Sequence, residues 1–310
     1  SDVYKRQEPV VGRGKHMKSR SAGDRLFDIG VYVLLTIAML IVLYPLYFVV
    51  IASVSDPMDV LAGKVIWKPS GFSLEAYRMV FKDSQVMTGY RNTIAYTLAG
   101  TALNIMLSIA AAYPLSRRNL KGKGLVMGMM VFTMFFSGGL IPTYITISNL
   151  GLLNTFAVMI LPTAISVYNV MIMRTFFMNS IPYELEEAAY VDGATHFRTL
   201  YSVVLPLSKP ILAVMVLFYA IAHWNSYFNA MIYLSDKERY PLQLVLRTIL
   251  VQSQSSEEIL ADVQGTFNRM LMSETIKYAL IIVASVPVLC LYPFLQKYFV
   301  QGVMIGSVKG

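Results

Sequence analysis

The side chains in this sequence that could do chemistry fall into two groups. One is Tyr219, His223, Trp224, Asn225, Ser226, Tyr227 and Asn229, set within Pro210–Leu234, a stretch free of charge. Hydroxyls, amides and aromatic faces at this density suit a polyhydroxylated solute crossing an apolar region. At helical spacing Tyr219, His223, Ser226 and Tyr227 share a face, with Trp224 and Asn225 flanking it. Hydrogen bonding between helices together with an aromatic belt also accounts for these residues, so both readings stand. Asn104, Ser108, Tyr168 and Asn169 are sparser polar members of other apolar runs.

The other group lies between two apolar runs, from Asn179 to Pro206. Ser180 is placed to cap a helix, Pro182 suits its first turn, and Glu184, Glu186 and Glu187 favour its positive end. Ala188 and Ala189 extend it with little bulk. Gly193 follows Asp192 and ends it where the backbone calls for a positive φ. A second short helix then runs from Ala194 to Leu205-Pro206, so the segment reads as a compact helix–turn–helix.

Other chemistries are poorly supplied. Cys290 is the single cysteine, and the three histidines, His16, His196 and His223, form no pair at ligand spacing, so neither a disulfide framework nor a metal site is expected. Gly-x-x-x-x-Gly-Lys-Ser/Thr is absent from the sequence. An intramembrane enzyme would need a nucleophile–base pair, and His223 has no acid beside it in its run. A secondary transporter would place carboxylates inside its spans, whereas the apolar runs hold neither Asp nor Glu. The net charge of +8 is topological in such a chain and does not point to nucleic acid.

The elements that must position these groups are membrane helices. Of 310 residues 56% are hydrophobic and only 14% charged, against about 25% charged in soluble domains. Uncharged runs cover Ile29–Ser55, Asn92–Ser116, Gly124–Met173, Pro210–Leu234 and Tyr278–Gln296. A helix spanning all of Gly124–Met173 would be about 75 Å long, over twice the hydrocarbon thickness, so the run folds back at Asn149–Asn154. The fold class is therefore all-α and polytopic, with six transmembrane helices near 29–54, 92–115, 124–147, 155–176, 211–234 and 278–296. Ser137-Gly138-Gly139 and Pro142 should break the third, leaving 141–150 at the interface or lining a cavity. Ser73 is expected to cap a short helix with Leu74, Tyr77, Val80 and Phe81 on one face, and Ser253–Ser256 to cap an amphipathic segment over Glu257–Val263. Ser1–Gln7 reads as non-native, with Met17 as the expected start. The division is a tail over 1–28, a membrane domain over 29–298 containing the loop 178–209, and a tail over 299–310.

The spacing Glu187-Ala188-Ala189, three residues, Gly193, nine residues, Val203, one residue, Leu205-Pro206 resembles the EAA loop of importer-type ABC transporter permeases. Val203 stands where that family usually has isoleucine. Trp67–Tyr77, Trp224-Asn225 and the ending Gln301–Gly310 are similar to its carbohydrate-uptake branch, and Phe135–Thr143 to permeases for polysaccharide-derived oligosaccharides. The resemblance implies the MetI-like fold of type I importer permeases. It makes Glu184, Glu187, Ala188, Ala189, Asp192, Gly193, Ala194, Leu205 and Pro206 a coupling loop that docks on a separate ATPase. It also implies a second homologous permease, two ATP-binding subunits and an extracytoplasmic sugar-binding protein, in the plasma membrane of a bacterium. The chain would then be no enzyme and hold no cofactor, ATP and Mg being bound by the partner ATPase. A permease for a non-sugar solute is the alternative.

With six spans, the segments on one side hold 16 basic and 8 acidic residues, and those on the other 10 of each. The positive-inside rule then puts both termini in the cytoplasm. Single cysteines replacing Lys121 and Ser256, in a Cys290→Ser background, should label from opposite faces of intact cells. Equal labelling of both from outside would overturn this topology.

Overall fold

The computed structural model describes residues 22–259, 276–290 and 293, and every regular element among them is helical. These residues form two units, the first ending at Phe48. α1 (Ala22–Ser53) is 32 residues long, contains Pro45, and is apolar enough to cross a membrane.

The second unit holds α2 (Pro57–Leu61), α3 (Glu75–Lys82) and α4 (Ser84–Ser116). The turn before α3 is tied down by its own polar groups. Asp56 caps α2, and Asp59 accepts from Lys64 Nζ at 2.8 Å and Ser70 Oγ at 2.6 Å, which hold its carboxyl below the usual range. Ser73 Oγ accepts from Glu75 N, but the buried side chains of α3 are Ala76 and Val80; Leu74 and Phe81 are exposed.

α4 is the long spine of this unit. Asp83 accepts from the N–H groups of Gln85 and Val86 at its start, and Pro114 falls in its last turn, where it has no N–H to give the Ala110 carbonyl. The buried face carries Gly89, Thr93, Thr97, Gly100, Thr101, Asn104, Ser108 and Ala112 at intervals of three and four. Small and hydroxylated side chains let neighbouring helices approach closely, the usual device where lipid offers no hydrophobic drive. α11 (Lys209–Trp224) and α7 (Val167–Ser180) pack on this face, followed by α13 (Leu242–Ile259).

The remaining apolar runs are interrupted. α5 (Lys123–Phe135) and α6 (Leu140–Asn149) meet at 111° across Phe136–Gly139, with Gly139 at φ 85°. The fold-back follows at Gly151 and Asn154. Asn154 sits at φ 55° and accepts at Oδ1 from the N–H groups of Ser235 and Asp236. Two sequence expectations change here. The fourth run holds only a short 3-10 turn at Ala157–Met159 before its α-helix begins at Val167, because Pro162 lacks an N–H and Ser166 starts the helix by accepting from Asn169 N. The fifth stops at Trp224 and resumes as α12 (Phe228–Tyr233). Ser253–Ser256 lie inside α13 and are not a cap, and most of Glu257–Val263 falls outside the described residues. The last apolar helix described is α14 (Ile276–Cys290).

Apolar packing gathers in three places. Val86, Trp224, Leu242, Leu280 and Val283 form one cluster; Met173, Phe177, Val204 and Met215 a second; Tyr96, Val158, Met159, Ala230 and Tyr233 a third. Gly89 lies where a Cβ would meet Leu242 Cα at 3.1 Å and its N at 3.2 Å. Backbone cannot yield as a side chain does. Gly89→Val should therefore destabilise the purified protein by about 1–3 kcal/mol, read as a lower unfolding temperature in detergent.

Candidate functional site

The loop after α7 contains α8 (Tyr183–Val191), α9 (His196–Thr199) and α10 (Leu205–Leu207). Ser180 closes α7, and Pro182, not Ser180, holds the cap position of α8, since Ile181 is extended. Gly193 takes φ 76°. Its N–H bonds to Tyr190 O at 3.0 Å and that of Ala194 to Ala189 O at 2.9 Å, the paired closure that a left-handed residue permits at a helix end. Thr195 Oγ1 then caps α9. Tyr190 OH and His196 Nδ1 stand 2.6 Å apart, pinning the two short helices across the turn. Before Pro206, which has no N–H to give, the ladder widens into a π turn over Leu200–Val204.

Burial divides the loop. Glu184, Glu187, Ala188, Asp192, Gly193 and Pro206 are exposed, while Ala189, Ala194 and Leu205 are half-buried. Val191, Phe197 and Tyr201 are 87%, 85% and 77% exposed. This is a compact surface with apolar side chains among acidic ones.

Glu186, which the sequence offered only as a partner of the helix dipole, is the buried exception at 1% exposure. It ion-pairs with Arg117, the residue that ends α4. Arg117 also lies over the Tyr113 ring, 4.8 Å from its centre, and its Nε donates to Ser116 Oγ at 2.9 Å. Burial lowers the pKa of this guanidinium, and the phenols of Tyr113, Tyr190 and Tyr183 work against that shift. No sequence pattern links residues 117 and 186, so the pair was illegible before folding.

On the other side of the π turn, α11 leads to a cavity of about 570 Å³. Tyr219, His223, Asn225, Ser226, Tyr227 and Asn229 line it, joined by Thr163 and Ser166 from the run before α7 and by Asn169 in its first turn. Among the described residues, none that lines it is Asp, Glu, Lys or Arg. Trp224 does not join them. Its indole N–H donates to Ala284 O at 3.1 Å and its ring meets Tyr90 edge-on, within the first apolar cluster.

α4 fixes the wall of this cavity. Asn104, fully buried, donates from Nδ2 to Thr163 O at 2.6 Å and presents Oδ1 to His223 Nε2 at 2.6 Å. Because the amide nitrogen faces a carbonyl, the amide oxygen must face the imidazole, and His223 carries a proton on Nε2. One turn away Ser108 Oγ and Tyr219 OH are 2.6 Å apart. Gly100 makes the imidazole's seat, since a Cβ there would lie 2.3 Å from His223 Nε2. Gly100, Asn104 and Ser108 recur every fourth residue, a signal that sequence alone carried only faintly.

A helical bundle with an uncharged polar cavity and an exposed two-helix loop describes an integral-membrane transport subunit. Residues 10–305 match the family described as the binding-protein-dependent transport system inner membrane component, and the chain belongs to that family. It is 41% identical to the polygalacturonan/rhamnogalacturonan transport system permease protein YtcP of Bacillus subtilis (strain 168), over 93% of this chain and 99% of that one. Protein LplC of the same strain is 36% identical over 95% of this chain and 99% of its own. A solved chain from a bacterial ABC transporter that imports the acidic polysaccharide alginate superposes with TM-score 0.83 at 34% identity, covering 91% of this chain and 100% of that one. The fold is thus the all-α, MetI-like permease fold of ABC transporters.

Removing the Asn104 amide would strand Thr163 O and His223 Nε2 together. Asn104→Leu should therefore cost about 1–3 kcal/mol of stability and abolish transport. Asn104→Ser, which keeps a hydroxyl but cannot span both partners, should lie between. Thermal unfolding and uptake assays read the two effects.

Proposed function

We propose that this chain is the membrane-spanning permease subunit of an ATP-driven importer for oligosaccharides. The observation that carries the reading is the loop surface. Val191, Phe197 and Tyr201 stand exposed beside Glu184, Glu187 and Ala188 on a tightly closed two-helix unit, a shape suited to a protein groove and wasteful in water. The chain has no phosphate-binding loop, so ATP and Mg belong to a partner ATPase, and this subunit is non-catalytic.

The cavity supports a sugar. Amides, hydroxyls and the Tyr227 ring offer hydrogen bonds and stacking faces without a fixed charge, which suits a solute rich in hydroxyls. Tyr219, His223, Asn225, Tyr227 and Asn229 form the proposed path, with Trp224 holding α11 in place behind it. The relatives named for polygalacturonan/rhamnogalacturonan and alginate transport support oligosaccharides derived from polysaccharides. The full complex then comprises a second homologous permease, two ATP-binding subunits and an extracytoplasmic sugar-binding protein, in the bacterial cytoplasmic membrane with both termini inside. A non-sugar solute has no observation in its favour here.

Gly193 decides the test. A Cβ there meets no atom within 4 Å, so the cost of a side chain is the positive φ itself and the bulk it adds to an exposed face. Gly193→Val and Glu187→Lys should each leave the permease inserted and paired, yet reduce co-purification of the ATPase about tenfold. Uptake into proteoliposomes should also require the added binding protein. Normal docking in both variants, or efficient uptake without that protein, would sink the reading.

A further inference from the structure

The cytoplasmic loop and the cavity are joined by one unbroken element, and it is not one of those that border the loop in sequence. Three contacts converge on the last turn of α4. Arg174 Nε donates to Leu115 O at 2.9 Å, Tyr113 OH donates to His196 O at 3.4 Å, and Glu186 pairs with Arg117. Further along the same helix, about 20 Å from Arg117, Asn104 grips Thr163 and His223, and Ser108 meets Tyr219. Those three partners line the cavity.

The covalent routes are jointed. From α8 back to α7 the chain passes through the extended Ile181-Pro182. From α9 forward it passes through the π turn and then a bend of 83° into α11. A push applied to α8 would be taken up at those joints. The Glu186–Arg117 contact instead leads straight into a 33-residue helix.

Exposure separates the acids of α8 by role. Glu184 and Glu187 face outward, where a docked protein can touch them; Glu186 cannot be reached. Nor is stability a sufficient reason for it, since buried ion pairs are commonly replaced by apolar residues at little cost.

We propose that the Glu186–Arg117 pair transfers movement of α8 to α4, and that α4 acts as a strut carrying it to the cavity wall at Asn104 and Ser108. Glu186 and Arg117 are positioning residues for transport, acting through α4 and touching neither sugar nor nucleotide. The proposal rests on the coupling-loop reading given above and deepens it.

The test uses the complete transporter in proteoliposomes and compares Glu186→Met, Arg117→Met and the double variant. Each single change leaves a buried charge unpaired and should lower the unfolding temperature, while the double change should restore it. ATPase co-purification should persist in the double variant, yet sugar imported per ATP hydrolysed should stay about fivefold or more below the native value. Arg117→Lys, which keeps the charge, should retain most of the coupling. An independent variant, Met106→Gly with Ala110→Gly, softens α4 on an exposed face between the two anchor points and should uncouple with the ion pair intact. Coupling that recovers along with stability in the double variant would make the pair merely structural and overturn the proposal. So would native coupling in the softened helix. A native complex without ATP-dependent uptake would instead remove the importer reading itself, and the strut with it.

Discussion

Irregular backbone inside an apolar run must find its hydrogen-bond partners within the protein, because lipid supplies none. The segment before Val167 meets this constraint through turn bonds of its own, such as Ala164 N–H to Leu161 O, and at Thr163 through one side chain from another helix. Asn104 gives its Nδ2 to the carbonyl of Thr163, and with its remaining oxygen fixes His223. A non-helical stretch beside Pro162 can therefore border a cavity, where a continuous helix would have filled the space with its own side chains. The close approach that allows this comes from Gly100, against which the imidazole lies.

α4 thereby serves two ends of the molecule. Its middle holds the wall of an uncharged polar cavity, and its last turn holds the loop proposed to dock the ATPase. At both places polar contacts are added to the apolar packing, for a physical reason. Apolar packing is non-directional and permits sliding, whereas the Asn104 amide and the Arg117 guanidinium accept only one arrangement of partners. The buried Arg117–Glu186 pair is thus better understood as a means of registering α8 against α4 than as a source of stability.

Much of the architecture was legible in one dimension. The break at Ser137-Gly138-Gly139 could be read from residue type, since a glycine pair tolerates the φ of 85° found at Gly139. The turn at Gly193 could be read in the same way. Less legible were the interruptions of the fourth and fifth runs. Pro162 announced the first only weakly, because a proline alone often just kinks a helix, and nothing in Asn225-Ser226-Tyr227 forbids helix. The expected cap at Ser253–Ser256 failed for a related reason: serines are favoured at helix ends but are also accommodated within a helix, and α13 continues through them.

The sequence by itself determined the membrane class, the helical loop with its EAA-like spacing, and the set of polar residues available within the apolar runs. Run length, charge and residue type suffice for these, because each acts locally along the chain. Only the tertiary structure decided which polar residues face one another. His223 and Trp224 are adjacent in sequence, yet about 100° apart around α11; one reaches Asn104 and the cavity, the other the apolar cluster behind it. Likewise Glu186 and Glu187 are neighbours of identical charge-bearing chemistry, and the rotation between them turns one toward Arg117 and the other outward. Which of two adjacent residues is buried depends on what packs against the helix, and that is a property of the whole fold.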